Sequence, residues 1–314
     1  MKYLVNTGTD PHRNMAFDDY VLERLPLQEP LFYLWQNTPA VIIGRNQSAQ
    51  AEVNLPYLDA HGIVLARRVT GGGAVFHDLG NLNYSFAGPI SAMEGAEGWM
   101  AQTLRQLGLP VERSGRNDLL VDGRKCSGYA KRLHKDRLMI HGTLMWDVDL
   151  VQLTSALAVP GSKLQAAGIA SVRSRVANLK PFLPQFPSLD AFRAALQDQL
   201  AAGDPEIVLS AAQEAEIDRL SDEKFRTWDW IIGQSPAADF QACRKFVCGT
   251  VEAHFTLRHG VFSQLRFTGD FLGRLPAEDL AQQLIGQRPE ALLELPVGAY
   301  FDGLDGPALL ALFR

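Results

Sequence analysis

The chain has 314 residues, 46% hydrophobic and 21% charged, with a formal net charge of −5. That is enough apolar material for one large domain with a smaller companion, and the negative balance excludes bulk nucleic-acid binding and a polybasic membrane surface. No apolar run reaches the roughly 18 residues needed to cross a bilayer, and "MKYLVNTGTDPHRN" turns polar too soon for a secretory signal. Cys126, Cys243 and Cys248 have the spacing of neither a disulfide framework nor a zinc cluster. A cytoplasmic protein is expected, with no nucleic-acid or membrane partner.

Asp10 followed by Pro11 predicts a helix cap and first turn, and Phe17, Val21 and Leu25 continue it at helical spacing, so a helix is expected over residues 11 to 25. "LFYLWQN" and "AVIIGRN" predict a pair of strands joined by a Thr-Pro turn. "GIVLARRVT" predicts a strand that runs into the glycine-rich "TGGG", and "NLNYSFAG" a half-buried strand. Residues 96 to 108 have helical character. In "NDLLVDGRKCSGYAKR", Asp122-Gly123 is a two-residue hairpin signal. In "RLMIHGTLMWDVD", Leu138, Ile140, Leu144 and Trp146 share one face, and Met139, His141, Thr143 and Met145 the other. Helices follow, broken by the loop "KPFLPQFP". A composition shift over residues 228 to 242 places a domain boundary near residue 240, giving domains of 1–240 and 241–314. The second contains a hairpin turning at His259-Gly260 and the helical stretches "PAEDLAQQLIG" and "GPALLALFR".

P-loop, Rossmann and nucleophile-elbow signatures are missing, and the histidines lack H-x-x-x-H spacing. In "RRVTGGGAVFHDLGN", Gly71, Gly72 and Gly73 would let backbone amides approach a ligand, and Arg67 and Arg68 would supply charge. Read alone, such a string is more commonly a turn with two exposed arginines. Asn117, Asp118, Lys125 and Ser127 would lie on the two arms of one hairpin, with Lys125 and Ser127 facing one side and Cys126 the other. Residues 113 to 137 hold eight basic residues against three acidic ones, which suits a phosphate or polyanion. "AAGIASVRSRVANL" reads as an ordinary loop or a mobile lid, and Cys243 and Cys248 as inert thiols.

Taken in order, "RRVTGGGAVFHDLGNLNYSF", "GRNDLLVDGRKCSGYAKR", "MIHGTLMWDVDL" and "GIASVRSRVANL" resemble the lipoate–protein ligases, and the C-terminal "KFRTWDWIIGQSP" and tail are similar to that family's accessory domain. The resemblance implies an α+β fold: a mixed β-sheet flanked by helices, shared with biotin ligases and related to the class II aminoacyl-tRNA synthetase core, with a small α/β C-terminal domain. It implies that lipoate and Mg-ATP give lipoyl-AMP and pyrophosphate, and that the lipoyl group then passes to an acceptor lysine. The cofactors implied are ATP and Mg²⁺. The partners implied are lipoic acid, with octanoic acid as a second candidate, and the apo lipoyl domains of 2-oxoacid dehydrogenase E2 subunits and the glycine cleavage H protein. No metal-ligand set is assigned.

The resemblance carries Lys125 over as the catalytic residue, electrostatic rather than nucleophilic. It places Arg68, Gly73, Ala74, Val75, Phe76, Asp118, Lys125, Gly168, Ser171 and Arg173 at ATP or the adenylate, and Arg68, Gly72, Gly73, His77, Lys125 and His141 at lipoate. Two positions depart from the family pattern: Ala167, where a lysine is expected, and Cys126, where an apolar residue is expected. Two competing readings are an ATP-independent octanoyl or lipoyl transferase that works through a cysteine thioester, and a non-catalytic lipoate-binding module.

Overall fold

The computed structural model describes residues 1–115, 117–157, 175–235 and 238–313. The chain divides into two compact units, one of residues 1–45 and 57–227, the other of residues 46–56 and 228–314.

The larger unit is built on an eight-stranded mixed sheet. Its strands are β1 (Lys2–Val5), β2 (Leu31–Trp35), β6 (Asn81–Pro89), β7 (Glu112–Ser114), β8 (Asp118–Val121), β9 (Arg124–His134), β10 (Arg137–Met145) and β11 (Glu206–Ile207), in the order β11-β1-β2-β6-β10-β9-β8-β7. Strand β1 runs parallel to both its neighbours, and the remaining pairs are antiparallel. A second sheet holds β3 (Ala40–Ile43) between β4 (Val64–Arg67) and β5 (Val75–His77). The expected β2–β3 pair therefore does not form: the Thr-Pro turn carries the chain from one sheet to the other.

Helix α1 (Pro11–Glu23) begins where predicted, with the Asp10 carboxylate accepting from the amides of His12 and Arg13. One face of the large sheet carries the main core. Phe86, Ile140, Leu144 and Trp146 cluster there with Met100 and Leu104 of the helix Trp99–Gln106 and with Phe192 and Leu196 of the helix Leu189–Ala201. The alternation read in β10 holds. Strand β6, expected to be half-buried, is covered on both faces. Its Leu82, Tyr84 and Phe86 join the core, while Ser85, on the other face, bonds the buried Asp18 of α1.

Part of the basic excess of residues 113–137 is spent on the protein's own acids and carbonyls. Arg132 pairs with Asp19 at 2.8 Å and Glu23 at 2.5 Å, Lys131 pairs with Glu97 at 2.5 Å, and Arg137 donates to the carbonyls of Leu22 and Leu25 at the end of α1. Arg132 and Arg137 of this run thus act as struts between β9, β10 and α1.

In the smaller unit β12 (Ala238–Phe246), β13 (Gly249–Arg258) and β14 (Val261–Gly269) form an antiparallel meander. It packs on the helices Ala277–Leu284 and Gly306–Leu310, with Phe255, Phe262 and Phe313 edge to face in its core. Its His259-Gly260 turn has positive φ at both residues, as does the Asp122-Gly123 turn of the larger unit.

Gly80 turns the chain into β6, and its carbonyl accepts from the amides of Trp146 and Asp147 at 3.0 and 2.9 Å. A Cβ there would lie 2.1 Å from the Asp147 oxygen. Gly80→Ala is expected to lower stability by about 1–3 kcal/mol, read as a reduced urea midpoint at unchanged slope.

Candidate active site

The glycine-rich loop is wrapped around its own arginine. Arg68 is buried, and its guanidinium donates to the carbonyls of Ile42, Gly71 and Gly73 and to Thr70 Oγ1 at 2.7–3.2 Å. Gly72 has φ +94°, and a Cβ on it would lie 2.9 Å from Arg68 Nη2, so a side chain is excluded on both counts. The loop passes the end of β3 at Gly44, where a Cβ would meet the Gly72 oxygen at 2.1 Å. With the Gly71 and Gly73 carbonyls committed to the guanidinium, the amides of Gly71, Gly72 and Gly73 have no partner among the described residues. Burial pulls Arg68 down to about 10, leaving it charged at neutral pH. Arg67 is fully buried and donates to the carbonyls of Gly44 and Arg45. It braces the segment that follows β3 and is not among the residues that line the cavity.

Opposite the loop stands Lys125. The ladder of β8 and β9 slips by one residue: Leu120 pairs with Lys125 and Leu119 with Ser127, so Cys126 is the extra residue of a bulge. Without the bulge, Lys125 would be out of phase with Gly128 and Ala130, which line the cavity. With it, Lys125 shares their face and Cys126 turns into the core. The expectation that Lys125 and Ser127 face the same way fails for this reason, since Ser127 is opposite the core residue Leu119 and fully buried. Lys125 Nζ pairs with Asp118 at 2.8 Å and lies over Gly128, where a Cβ would meet it at 3.0 Å. The Lys125 backbone is clamped by Arg175 and Ala177 at 2.8 and 2.9 Å. Burial pushes the Cys126 thiol up to about 12, and it donates to the Leu119 carbonyl.

A buried polar chain runs behind the loop. Arg68 Nε donates to Thr70 Oγ1, which leaves the Thr70 hydroxyl to donate to His141 Nε2 at 2.7 Å. His141 Nδ1 then donates to Asp18 Oδ2 at 2.6 Å. Asp18 Oδ1 also accepts from Tyr33 at 2.5 Å and Ser85 at 3.0 Å. On the neighbouring strand β5, His77 accepts at Nδ1 from Asn37. Burial, with Arg68 and His141 nearby, pushes His77 down to about 3, so it is neutral.

These elements enclose a cavity of about 140 Å³. Of the residues predicted from the sequence, Arg68, Gly72, Gly73, Ala74, Val75, His77, Lys125 and His141 line it. Asp118 joins through its ion pair, and the Phe76 side chain points the other way, into a buried position. Gly168, Ser171 and Arg173, with Ala167, lie outside the described residues. The sequence reading missed Trp35, Asn83 and Thr143 as lining residues, and Asp18 and Thr70 behind them. The polar face of β6 was the available signal, since Asn and Ser alternating with core residues require partners if they are buried.

The mixed sheet, the arginine-centred glycine loop and the hairpin lysine define an acyl-ligase type of catalytic unit. Residues 10–201 match the family model of the lipoyl protein ligase A/B catalytic domain, and residues 235–310 that of the bacterial lipoate protein ligase C-terminus. The chain belongs to the lipoyl protein ligase A/B family. It is 37% identical to lipoate–protein ligase 1 of Staphylococcus aureus over 99% of both chains, and 35% identical to lipoate-protein ligase LplJ of Bacillus subtilis over 90% of this chain and 88% of that one. Among solved structures it is similar to a bi-partite lipoate protein ligase from Thermoplasma acidophilum, described with its E2 lipoyl domain (TM-score 0.68, 29% identity, 78% of this chain and 98% of that chain). It is also similar to a lipoate-protein ligase A bound with ATP (TM-score 0.65, 28% identity, 74% and 98%). Among the described residues no helix is long and apolar enough to cross a membrane.

Two measurements check this site. Cys243 is exposed, while Cys126 and Cys248 are buried, so native protein treated with iodoacetamide at pH 8 is expected to gain one adduct, at Cys243; rapid labelling of Cys126 would contradict its placement. For His77 the ordinary value is 6.5 and the folded value about 3. Below pH 6.5 the unfolded chain therefore takes up a proton that the folded chain refuses, and stability falls as the pH drops toward 3. The contribution is at most roughly 1.4 kcal/mol per pH unit, and His77→Gln is expected to flatten the measured slope by about one proton.

Proposed function

We propose that this chain is an ATP-dependent lipoate–protein ligase that forms lipoyl-AMP in the cavity between the glycine loop and the β8–β9 hairpin. The observation that carries the reading is the placement of Lys125 Nζ in that cavity, over the bare Cα of Gly128 and opposite the unpartnered amides of Gly71 to Gly73. A lipoate carboxylate and the α-phosphate of ATP repel one another, and a fixed cation between them offsets that repulsion and stabilises the charge that shifts to pyrophosphate.

A carboxylate oxygen attacks the α-phosphorus, the bond to the β-phosphate oxygen breaks, and pyrophosphate leaves. The amine of an acceptor lysine then attacks the acyl carbon, loses a proton and expels AMP. Lys125 is the electrostatic residue of the first step. In the free protein Asp118 holds it in place, and the incoming phosphate takes over as its partner. Arg68 acts on the adenylate through the loop it organises, with the amides near Gly72, Gly73, Ala74 and Val75 as donors, while His77 and His141 serve the acyl part. Gly168, Ser171 and Arg173 complete the nucleotide side. Mg²⁺ enters as the ATP complex, with Asp118 the carboxylate nearest Lys125. The acceptors are apo lipoyl domains of 2-oxoacid dehydrogenase E2 subunits and the glycine cleavage H protein. The catalytic part is the unit of residues 1–45 and 57–227, and the accessory domain lies in the unit of residues 46–56 and 228–314.

The thioester route is disfavoured by Cys126, whose thiol is buried away from the cavity and held far from ionisation. The test mixes protein, Mg-ATP, lipoate and an apo lipoyl domain, following pyrophosphate release and the acceptor's mass. Lys125→Met is expected to slow pyrophosphate release by at least about 10²-fold, and Cys126→Ala to keep it within a fewfold of the parent. Normal release from Lys125→Met would overturn the role given to that lysine, and loss of transfer in a folded Cys126→Ala protein would restore the thioester route.

A further inference from the structure

The far end of the cavity presents two hydrogen-bond donors that have no partner among the described residues. Among the described residues the Nε2 of His77, which is 3% exposed, has no partner, and neither has the Nδ2 of Asn83, which is 1% exposed. Both residues line the cavity. Buried donors are almost always paired, so these two call for an acceptor from outside the protein.

The proton on His77 is placed by a relay of asparagines. The backbone amide of Gly8 donates to Asn6 Oδ1 at 3.1 Å, which fixes the direction of the first side-chain amide. Asn6 Nδ2 then donates to Asn14 Oδ1 at 2.9 Å, and Asn14 Nδ2 to Asn37 Oδ1 at 2.8 Å. Asn14 is held the same way round by the carbonyls of Gly8 and Gln36. Asn37 Nδ2 is left to donate to His77 Nδ1 at 3.0 Å. Nδ1 is therefore an acceptor, and the single imidazole proton sits on Nε2. Asn83 Oδ1 accepts from Asn81 Nδ2 at 2.9 Å, leaving its own NH₂ as the open end.

The position of these donors follows from the sheet. Lys125 lies over Gly128, whose amide donates to Thr143 Oγ1; Thr143 pairs with Asn83, and Asn83 with Trp35. With strands about 4.8 Å apart, Asn83 stands on the order of 10 Å from the lysine, about the extended reach of an octanoyl chain. The His77 ring lies 6.1 Å from that of Trp35, at the same end. An octanoyl tail brings only hydrocarbon here. A lipoyl tail brings a dithiolane ring, whose sulfurs are weak acceptors with polarizable lone pairs.

We propose that His77 and Asn83 are specificity-determining residues that read the dithiolane sulfurs, so that the chain prefers a lipoyl substrate to a saturated acyl chain of equal length. The inference rests on the ligase reading above. A saturated tail leaves both donors buried and unpaired, and a site built on hydrogen bonds rejects the analogue that lacks them.

The test measures kcat/KM for ATP–pyrophosphate exchange with lipoate and with octanoate on the full chain. The parent protein is expected to favour lipoate by about tenfold or more, and Asn83→Leu to bring the ratio close to one, mainly through the KM for lipoate. Asn37→Asp places an acceptor opposite His77 Nδ1 and is expected to draw the proton there, with loss of the preference. Nitrogen-15 spectra of the histidine ring read that change directly, and in the parent protein they should show the Nε2–H form. Equal rates for the two acids in the parent, an unchanged ratio in Asn83→Leu, or an Nδ1–H tautomer in the parent would each overturn the proposal. Should Asn83→Leu fail to fold, the parent ratio and the tautomer still decide it. No exchange with either acid would instead overturn the ligase reading.

Discussion

The buried guanidinium of Arg68 is the interaction on which the rest of the site depends. Desolvating a cation is costly, and here the cost is offset by carbonyls from β3 and from the glycine loop, together with the Thr70 hydroxyl. Because the loop spends its carbonyls inward on Arg68, its amides are left for the cavity. One arginine thus gives the loop its shape and its donor character together. The glycines follow from the same constraint, since Gly72 must both take a left-handed φ and let Arg68 pass close by.

Behind Arg68, the polar chain through Thr70, His141 and Asp18 connects the loop to β10 and α1, while Tyr33 and Ser85 anchor it to β2 and β6. Buried polar groups of this kind are strongly destabilising when partly satisfied and rigidifying when complete. The large sheet therefore has two unlike faces, one an ordinary apolar core and the other a hydrogen-bonded frame that holds the cavity walls in register. Lys125, by contrast, is tied by a partly exposed ion pair, and such a pair yields readily to a phosphate.

Local chemistry was legible in the sequence wherever it acts over a few residues. The Asp10 cap, the Asp122-Gly123 and His259-Gly260 turns and the two faces of β10 all follow from short-range rules. The motif order, through its family resemblance, carried the α+β class and brought Arg68, Lys125, His77 and His141 to attention. What stayed hidden depends on partners distant in sequence. Nothing in "LFYLW" or "AVII" says that the two strands join different sheets. The covering of both faces of β6 depends on α1, whose Asp18 lies 67 residues before its partner Ser85. The basic run looked like a ligand surface because the acids that neutralise Arg132 lie on α1. Alternation alone put Ser127 beside Lys125, since a bulge leaves no reliable mark in composition.

That bulge divides β9 into two segments that keep separate counts. On the side of the turn, the direction of Lys125 is counted from Asp122-Gly123; on the side of the sheet, Gly128 and Ala130 are counted from their pairing with β8 and β10. The lysine and the cavity wall beside it are thus set by different parts of the chain, although Lys125 and Gly128 sit three residues apart. Changes in the hairpin tip would re-aim the lysine while the wall keeps its register, and changes along β10 would reshape the wall while the lysine keeps its aim. Under the proposed function, such a separation lets selection alter which acyl chain fits without rebuilding the apparatus that activates it.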